Sequence, residues 1–317
     1  MNAPAPIQPA AFRAAYEAGR GALVWRHGVA DLVTPLAAFL KMAHGRPFSF
    51  LLESVEGGVA RGRYSVIGMA PDLIWRCHEG KAAVNRDPQG DPEGFAAEPV
   101  GALESLRRLV AEAALDVPDS LPPMTGGLVG YLGYDMVRLM ERLPSLKPDV
   151  LGIPDAILMR PGLFAIFDSV NDEITFAAPA YPRDGVSAED AHEAALARIA
   201  AAQAAMDMPV PPLTGAAPDH PAAPSANMTH EQFLAMVERG KEYIMAGDVF
   251  QVVPSQRFEL PFTLPPFALY RSLRRINPAP FLFFLDFGAF QAVGSSPEIL
   301  VRLRDGKVTI RPLAGTR

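Results

Sequence analysis

Three short segments combine residue types that could engage a small polar ligand. Phe50-Leu51-Leu52-Glu53-Ser54 ends an apolar run with a carboxylate and a hydroxyl, just before a Gly57-Gly58 turn. Such a strand end offers one acceptor and one donor, and a turn cap is its ordinary explanation. Asn277-Pro278-Ala279-Pro280-Phe281-Leu282-Phe283 carries two prolines that stiffen an extended backbone and leave carbonyls without full ladder pairing. Aromatic rings beside such carbonyls suit an aromatic ligand bearing an amine, although a plain strand entry explains the same residues. Arg311-Pro312-Leu313-Ala314-Gly315-Thr316-Arg317 sets a glycine, a hydroxyl and a guanidinium in a row, a short signal that suits a carboxylate.

Other catalytic patterns are missing from the sequence. No Gly-x-Ser-x-Gly elbow presents a serine nucleophile. Gly126-Gly127-Leu128-Val129-Gly130-Tyr131-Leu132-Gly133-Tyr134-Asp135 lacks the Gly-Lys-Ser/Thr ending of a phosphate cradle, so its glycines point to close backbone packing between strands. Neither His192-Glu193 nor His230-Glu231 is followed by a second histidine at zinc-binding spacing, which leaves both on solvated helix faces. Cys77 is the only cysteine, excluding an internal disulfide and reading as filler in a strand.

The elements that position these segments come from periodicity and punctuation. Ser187 and Asp190 form a capping box at the head of a helix running to Ala205. Thr229 and Gln232 form another, with Phe233, Met236, Val237 and Ile244 at helical spacing and Gly247 as the stop. Ala102–Ala114 reads as a further helix, while Phe48–Leu52, Tyr64–Met69 and Leu163–Phe167 read as strands. Later in the chain Val249–Val253, Phe281–Phe287 and Ile299–Leu303 are strand-like, and Asp305-Gly306 marks a two-residue hairpin whose return strand is Lys307–Leu313. The mixture gives an α+β class. Length favours two domains: residues 1–20 are expected to be a poorly ordered tail, 21–206 a first domain, 207–228 a Pro/Ala-rich linker and 229–317 a second domain.

Composition removes whole classes of function. An apolar fraction of 49% with 20% charged residues is that of a soluble globular protein, and no run approaches a membrane span. The Ala/Pro-rich start lacks the features of an export signal, giving a cytoplasmic expectation. A net charge of −6, with Arg271, Arg274 and Arg275 as the densest basic group, argues against nucleic-acid binding.

Taken together, LLESVEGGVARGRYS, GGLVGYLGYD, DVFQVVPSQRF, NPAPFLFFLDFG, GSSPEIL and IRPLAGTR resemble, in order, the signature blocks of anthranilate synthase component I, a chorismate-binding enzyme family of α+β architecture. The resemblance covers Leu51 to Arg317. It makes 21–206 the N-terminal domain and 229–317 the start of the chorismate-binding domain. What it implies is a lyase that converts chorismate and ammonia to anthranilate and pyruvate in tryptophan biosynthesis, with ammonia drawn from glutamine by a partner amidotransferase subunit, component II. Tryptophan, the end product, is expected to inhibit by binding Glu53 and Ser54 on one side and Pro280, Phe281 and Leu282 on the other. The family often has Tyr-Met where this chain has Phe281-Leu282, and both substitutions keep an apolar wall.

Chorismate contacts transfer to Gly315 and Thr316. Lysine-bearing aminodeoxychorismate synthases are similar but carry Lys where this chain has Ala314, and that lysine can attack the substrate ring. Isochorismate and salicylate synthases carry a water-activating Lys in place of Gln251, which makes Gln251 the ammonia-site candidate. The family's Mg²⁺ ligands and catalytic histidine lie downstream of the last block, and neither Glu298 nor His230 matches them. The resemblance therefore implies a C-terminally truncated chain, inactive alone, with no catalytic residue and no metal ligand before Arg317. Two alternatives stand beside this reading: an aminodeoxychorismate synthase-like enzyme, and a tryptophan-binding fragment without catalysis.

Overall fold

A computed structural model describes residues 9–56, 60–144, 147–215 and 222–311. The first half runs α1 (Pro9–Glu17), β1 (Ala22–Val29), α2 (Pro35–Ala43), β2 (Ser49–Glu53), β3 (Val55–Glu56), β4 (Ala60–Arg61), β5 (Tyr64–Met69), β6 (Leu73–His78), β7 (Lys81–Asn85), β8 (Ala96–Ala97) and α3 (Ala102–Glu112). It continues through β9 (Val129–Leu132), a 3₁₀ helix (Tyr134–Leu139), β10 (Ala156–Arg160), β11 (Leu163–Asp168), β12 (Glu173–Ala180) and α4 (Ala188–Met206). Then follow β13 (Ser225–Ala226), α5 (His230–Ala246), β14 (Phe258–Glu259), α6 (Pro266–Ile276), β15 (Phe281–Asp286), β16 (Gln291–Ser296), β17 (Arg302–Arg304) and β18 (Lys307–Thr309).

The chain divides into two units. The first holds residues 1–211 and 272–297, the second 212–271 and 298–317. In the first, seven antiparallel strands order as β1-β12-β11-β5-β2-β15-β16 and five as β8-β7-β6-β10-β9. One core joins their facing surfaces: Trp25, Phe50, Val66, Phe164 and Leu285 from the larger sheet meet Ile74, Ile157 and Met159 from the smaller. The outer face of the larger sheet is covered by α2 and α4, with α1 on α4. Trp75, Cys77, Val84 and Ala156 on the outer face of the smaller sheet pack with Ala102 and Leu109 of α3. The result is an α+β architecture of helix, sheet, sheet and helix layers.

Close approach explains the glycine at position 130, since a Cβ there would lie 1.9 Å from the Ile157 carbonyl oxygen of the paired strand. In the second unit Thr229 caps α5 with the full box, Thr229 Oγ1 accepting from Gln232 N and Gln232 Oε1 from Thr229 N. Gly247 ends that helix at φ 81° in the left-handed region. At α4, Ser187 Oγ accepts from Asp190 N and donates to the Asp190 carboxylate, so the second half of the expected box is replaced by a side-chain bond. No helix among the described residues is long and apolar enough to cross a membrane.

Five expectations are corrected. Pro9–Glu17, read as part of a loose tail, is helical because Phe12 and Tyr16, one turn apart, are both buried, with Phe12 edge-on to His192. His192 accordingly faces an aromatic partner rather than open solvent. Residues 229–317 do not form one continuous domain: Ser272–Pro297 joins the first unit because β15 pairs with the open edge of β2, from Asp286↔Ser49 to Leu282↔Glu53. Val249–Val253 forms no strand. No strand among the described residues pairs with it, and the Val252 side chain instead sits 3.0 Å from where a Cβ on Gly240 would lie. The strand expected at Ile299–Leu303 begins only at Arg302, although the hairpin through Asp305 (φ 51°) and Gly306 (φ 71°) forms where the dipeptide places it.

Candidate functional site

The end of β2 owes its form to the strand placed beside it. Glu53 is the last residue of β2 and lies opposite Leu282, so the two side chains share a face of the sheet. Alternation sends Phe281 to the other face. Leu282 is 1% exposed, Phe281 is 42% exposed, and Pro280 is exposed just before the strand. The five residues expected around one ligand are thus brought together along the chain but divided between the two faces of the sheet.

Glu53 is buried, and both of its carboxylate oxygens accept from Arg274 near the end of α6, at 2.7 Å from Nε and 3.0 Å from Nη2. This parallel fork is the strongest ion-pair geometry available to a carboxylate. Arg274 stands out in the sequence only as one of the three arginines of its densest basic group. The missing signal was its partner more than two hundred residues away. At the β15 entry the Asn277 carbonyl accepts from Ser295 Oγ at 2.5 Å, so one of the carbonyls left over by the prolines is satisfied across the hairpin.

Ser54 is half-buried, and the chain turns back so closely there that Gly62 lies against it. A Cβ at Gly62 would stand 1.5 Å from Ser54 Oγ, and Gly62 N donates to the Ser54 carbonyl at 2.8 Å. Ser169 Oγ in turn donates to the Gly62 carbonyl at 3.2 Å. The RGR triplet in the sequence held this glycine without disclosing what it touches.

Glu53 and Ser54 open onto a cavity of about 250 Å³ whose wall also includes Asp31, Asp168, Asp172 and Glu173. Asp168 accepts from Arg63 through Nε and Nη2 and from the Val170 N–H. Burial works to raise the Asp168 pKa, but these bonds outweigh it and hold the group below its ordinary value. The local field is negative and favours an ammonium group over an anion.

In the second unit Gln251 is exposed on an open recess of about 590 Å³ with Val253, Glu298 and Arg311. Ala314, Gly315 and Thr316 lie outside the described residues. Among the described residues no group of three or more His, Cys, Asp or Glu side chains is arranged to hold a metal ion.

Comparison with known proteins adds what geometry alone does not. The model of the chorismate binding enzyme family matches residues 61–317. Anthranilate synthase component 1 of Cereibacter sphaeroides is 50% identical over 307 residues, spanning 96% of this chain and 61% of that protein. The protein of the same name from Thermus thermophilus is 41% identical over 291 residues, 91% of this chain and 58% of that one. Among solved structures, anthranilate synthase component I from Streptococcus pneumoniae superposes with a TM-score of 0.63 at 26% identity, covering 89% of this chain and 60% of that one. The chain spans about three fifths of the length of these relatives.

Proposed function

Because the chain belongs to the chorismate-binding enzyme family, we propose that it supplies the front part of an anthranilate synthase large subunit, a cytoplasmic lyase of tryptophan biosynthesis. The assembled enzyme converts chorismate and ammonia to anthranilate and pyruvate, with ammonia delivered from glutamine by a component II amidotransferase. The observation that carries this reading is the 50% identity, sustained over 96% of the chain, to a protein named for that reaction. Ala314 and Gln251 support it against sister enzymes, because neither position offers the lysine that those chemistries use.

Within this proposal Gly315 and Thr316 contact chorismate, Gln251 faces the ammonia, and tryptophan acts as inhibitor at the end of β2. One feature supports the inhibitor site: the carboxylate-lined cavity at Glu53 and Ser54 suits an amino acid's ammonium, whereas Leu282 is buried and Phe281 is exposed on the other face of the sheet. Glu53, already forked to Arg274, would act there as a fixed acceptor rather than a mobile one. Mg²⁺ would polarise the chorismate carboxylate and its leaving group. The described residues supply no cluster that fits the ion, so no step is assigned to it.

The deciding experiment incubates the full-length enzyme and component II with chorismate and either glutamine or ammonium, and identifies the products. Anthranilate with an equal amount of pyruvate is expected. A 4-amino product would reassign the chain to aminodeoxychorismate synthesis. Calorimetric titration with tryptophan tests the inhibitor site: saturable binding is expected, weakened about 2- to 12-fold by Ser54→Ala through loss of one polar contact. Absence of heat with folded protein would remove the inhibitor site from the proposal.

A further inference from the structure

Arg198 of α4 is half-buried and is held by backbone carbonyls. Its Nε donates to the Gly162 carbonyl at 3.0 Å and its Nη2 to the Pro179 carbonyl at 2.9 Å. Among the described residues no carboxylate lies within 4.0 Å of it. Arg160, by contrast, forks onto Asp72 at 2.7 and 2.9 Å and also reaches Glu112. Arg183 takes what remains of Asp72, at 3.1 Å from Oδ2. Asp72 is therefore saturated by two guanidiniums and cannot serve Arg198 as a close partner. Burial pulls the Arg198 pKa down, with Arg183 adding to that and Asp72 opposing it, as expected of a partly desolvated cation without its own counter-ion.

Arg198 and Arg183 line a cavity of about 420 Å³, within the range of small-molecule sites. The rest of its wall is largely apolar, including Pro71, Pro88, Val186 and Ala194. The charged side chains on its wall are Arg183 and Arg198 with Asp72 and Asp87, and Asp72 is already engaged by Arg160 and Arg183. Two guanidiniums beside an apolar wall, with Arg198 bonded only to carbonyls, describe the complement of one kind of ligand.

We infer that this cavity, on the outer face of the larger sheet between α4 and the turns before β6 and after β7, is a binding site for a small organic monocarboxylate with an apolar body. The carboxylate accepts from Arg198 and Arg183, and the body lies against the proline and alanine surface. The site is independent of the strand end at Glu53, with which it shares no residue.

The test is titration of the purified chain with sodium benzoate, following the thermal midpoint and the heat of binding, with sodium chloride at matched concentration as the control. A saturable rise in midpoint beyond that given by chloride is expected. Arg198→Gln should weaken binding roughly tenfold or more, since it removes a charge-assisted pair. Arg198 also caps two carbonyls, so a second variant, Ala194→Phe, fills the cavity while leaving both guanidiniums in place, and it should abolish binding. Ser54→Ala should bind benzoate as the unaltered chain does. No saturable response, a response equal to that of chloride, or full binding by Ala194→Phe would each overturn the inference.

Discussion

Replacing Arg274 with alanine removes the partner that forks onto Glu53. The Glu53 side chain is 4% exposed and that of Arg274 is 18% exposed, so the two ends of the pair are unequally cut off from water. Losing the guanidinium deprives a nearly sealed carboxylate of its main donor, and breaking a buried pair in this way costs about 3–5 kcal/mol. Glu53→Gln leaves the more exposed Arg274, which can reach solvent and still donate to the amide oxygen, and should cost about 1–3 kcal/mol. For a unit of this size Arg274→Ala then lowers Tm by roughly 6 °C or more. The assay is urea unfolding followed by the fluorescence of Trp25 and Trp75, the two tryptophans of the chain, both buried in the first unit. The double substitution Glu53→Leu with Arg274→Met should recover most of the loss, because two apolar side chains leave no charge to desolvate. The reasoning is refuted if Arg274→Ala lies within ~1 kcal/mol of the unaltered chain, or if Glu53→Gln proves the more damaging change.

Four further outcomes follow from the same structure. Gly62→Ala pushes a Cβ to 1.5 Å from Ser54 Oγ and should cost about 1–3 kcal/mol as overpacking; Ser54→Ala in the same chain recovers only part, because Ser54 Cβ itself lies at 2.8 Å. Asp168, held below its ordinary pKa, contributes stability that is present above the unfolded value near 3.8 and lost as pH falls through its folded value. Asp168→Asn should thus lower the urea midpoint at neutral pH, with the gap to the unaltered chain closing in acid; a gap constant with pH would exclude the linkage. Asp286, pushed up by burial against the bonds from Gly288 N and Gln291, has the opposite sign, so Asp286→Asn should gain stability relative to the unaltered chain as pH rises above about 4. In the second unit Thr229→Ala breaks the capping box of α5 at about 0.5–2 kcal/mol, and amide exchange in the first turns of α5 should quicken. Unchanged exchange there would mean that the helix end is held by something other than its cap.

The features legible in the sequence were those whose causes are local. The box at Thr229 and Gln232, the left-handed stop at Gly247 and the Asp305-Gly306 turn each depend on a few adjacent residues, and all three form. What the sequence concealed depends on distant pairing. Val249–Val253 has the composition of a strand but pairs with no strand among the described residues, and Phe12 and Tyr16 look like tail residues until α4 is placed beside them. The candidate site divides in the same way. Its residue types were readable, but their facing is set by the register of β15 on β2, since the side-chain period of a strand is two and a slip of one would exchange Phe281 for Leu282 beside Glu53. Two observations select the register seen. It buries Leu282 and Phe284 on the helix-covered face, where Phe284 meets Phe39 of α2 edge-on, and it lays Phe283 and Leu285 into the core shared by the two sheets. The shifted register would carry Asp286 into that shared core, at the large cost of an unpaired charge in an apolar interior. Apolar packing along the whole of β15 thus places Leu282 beside the Glu53 carboxylate, and no residue at the strand end could have revealed that alone.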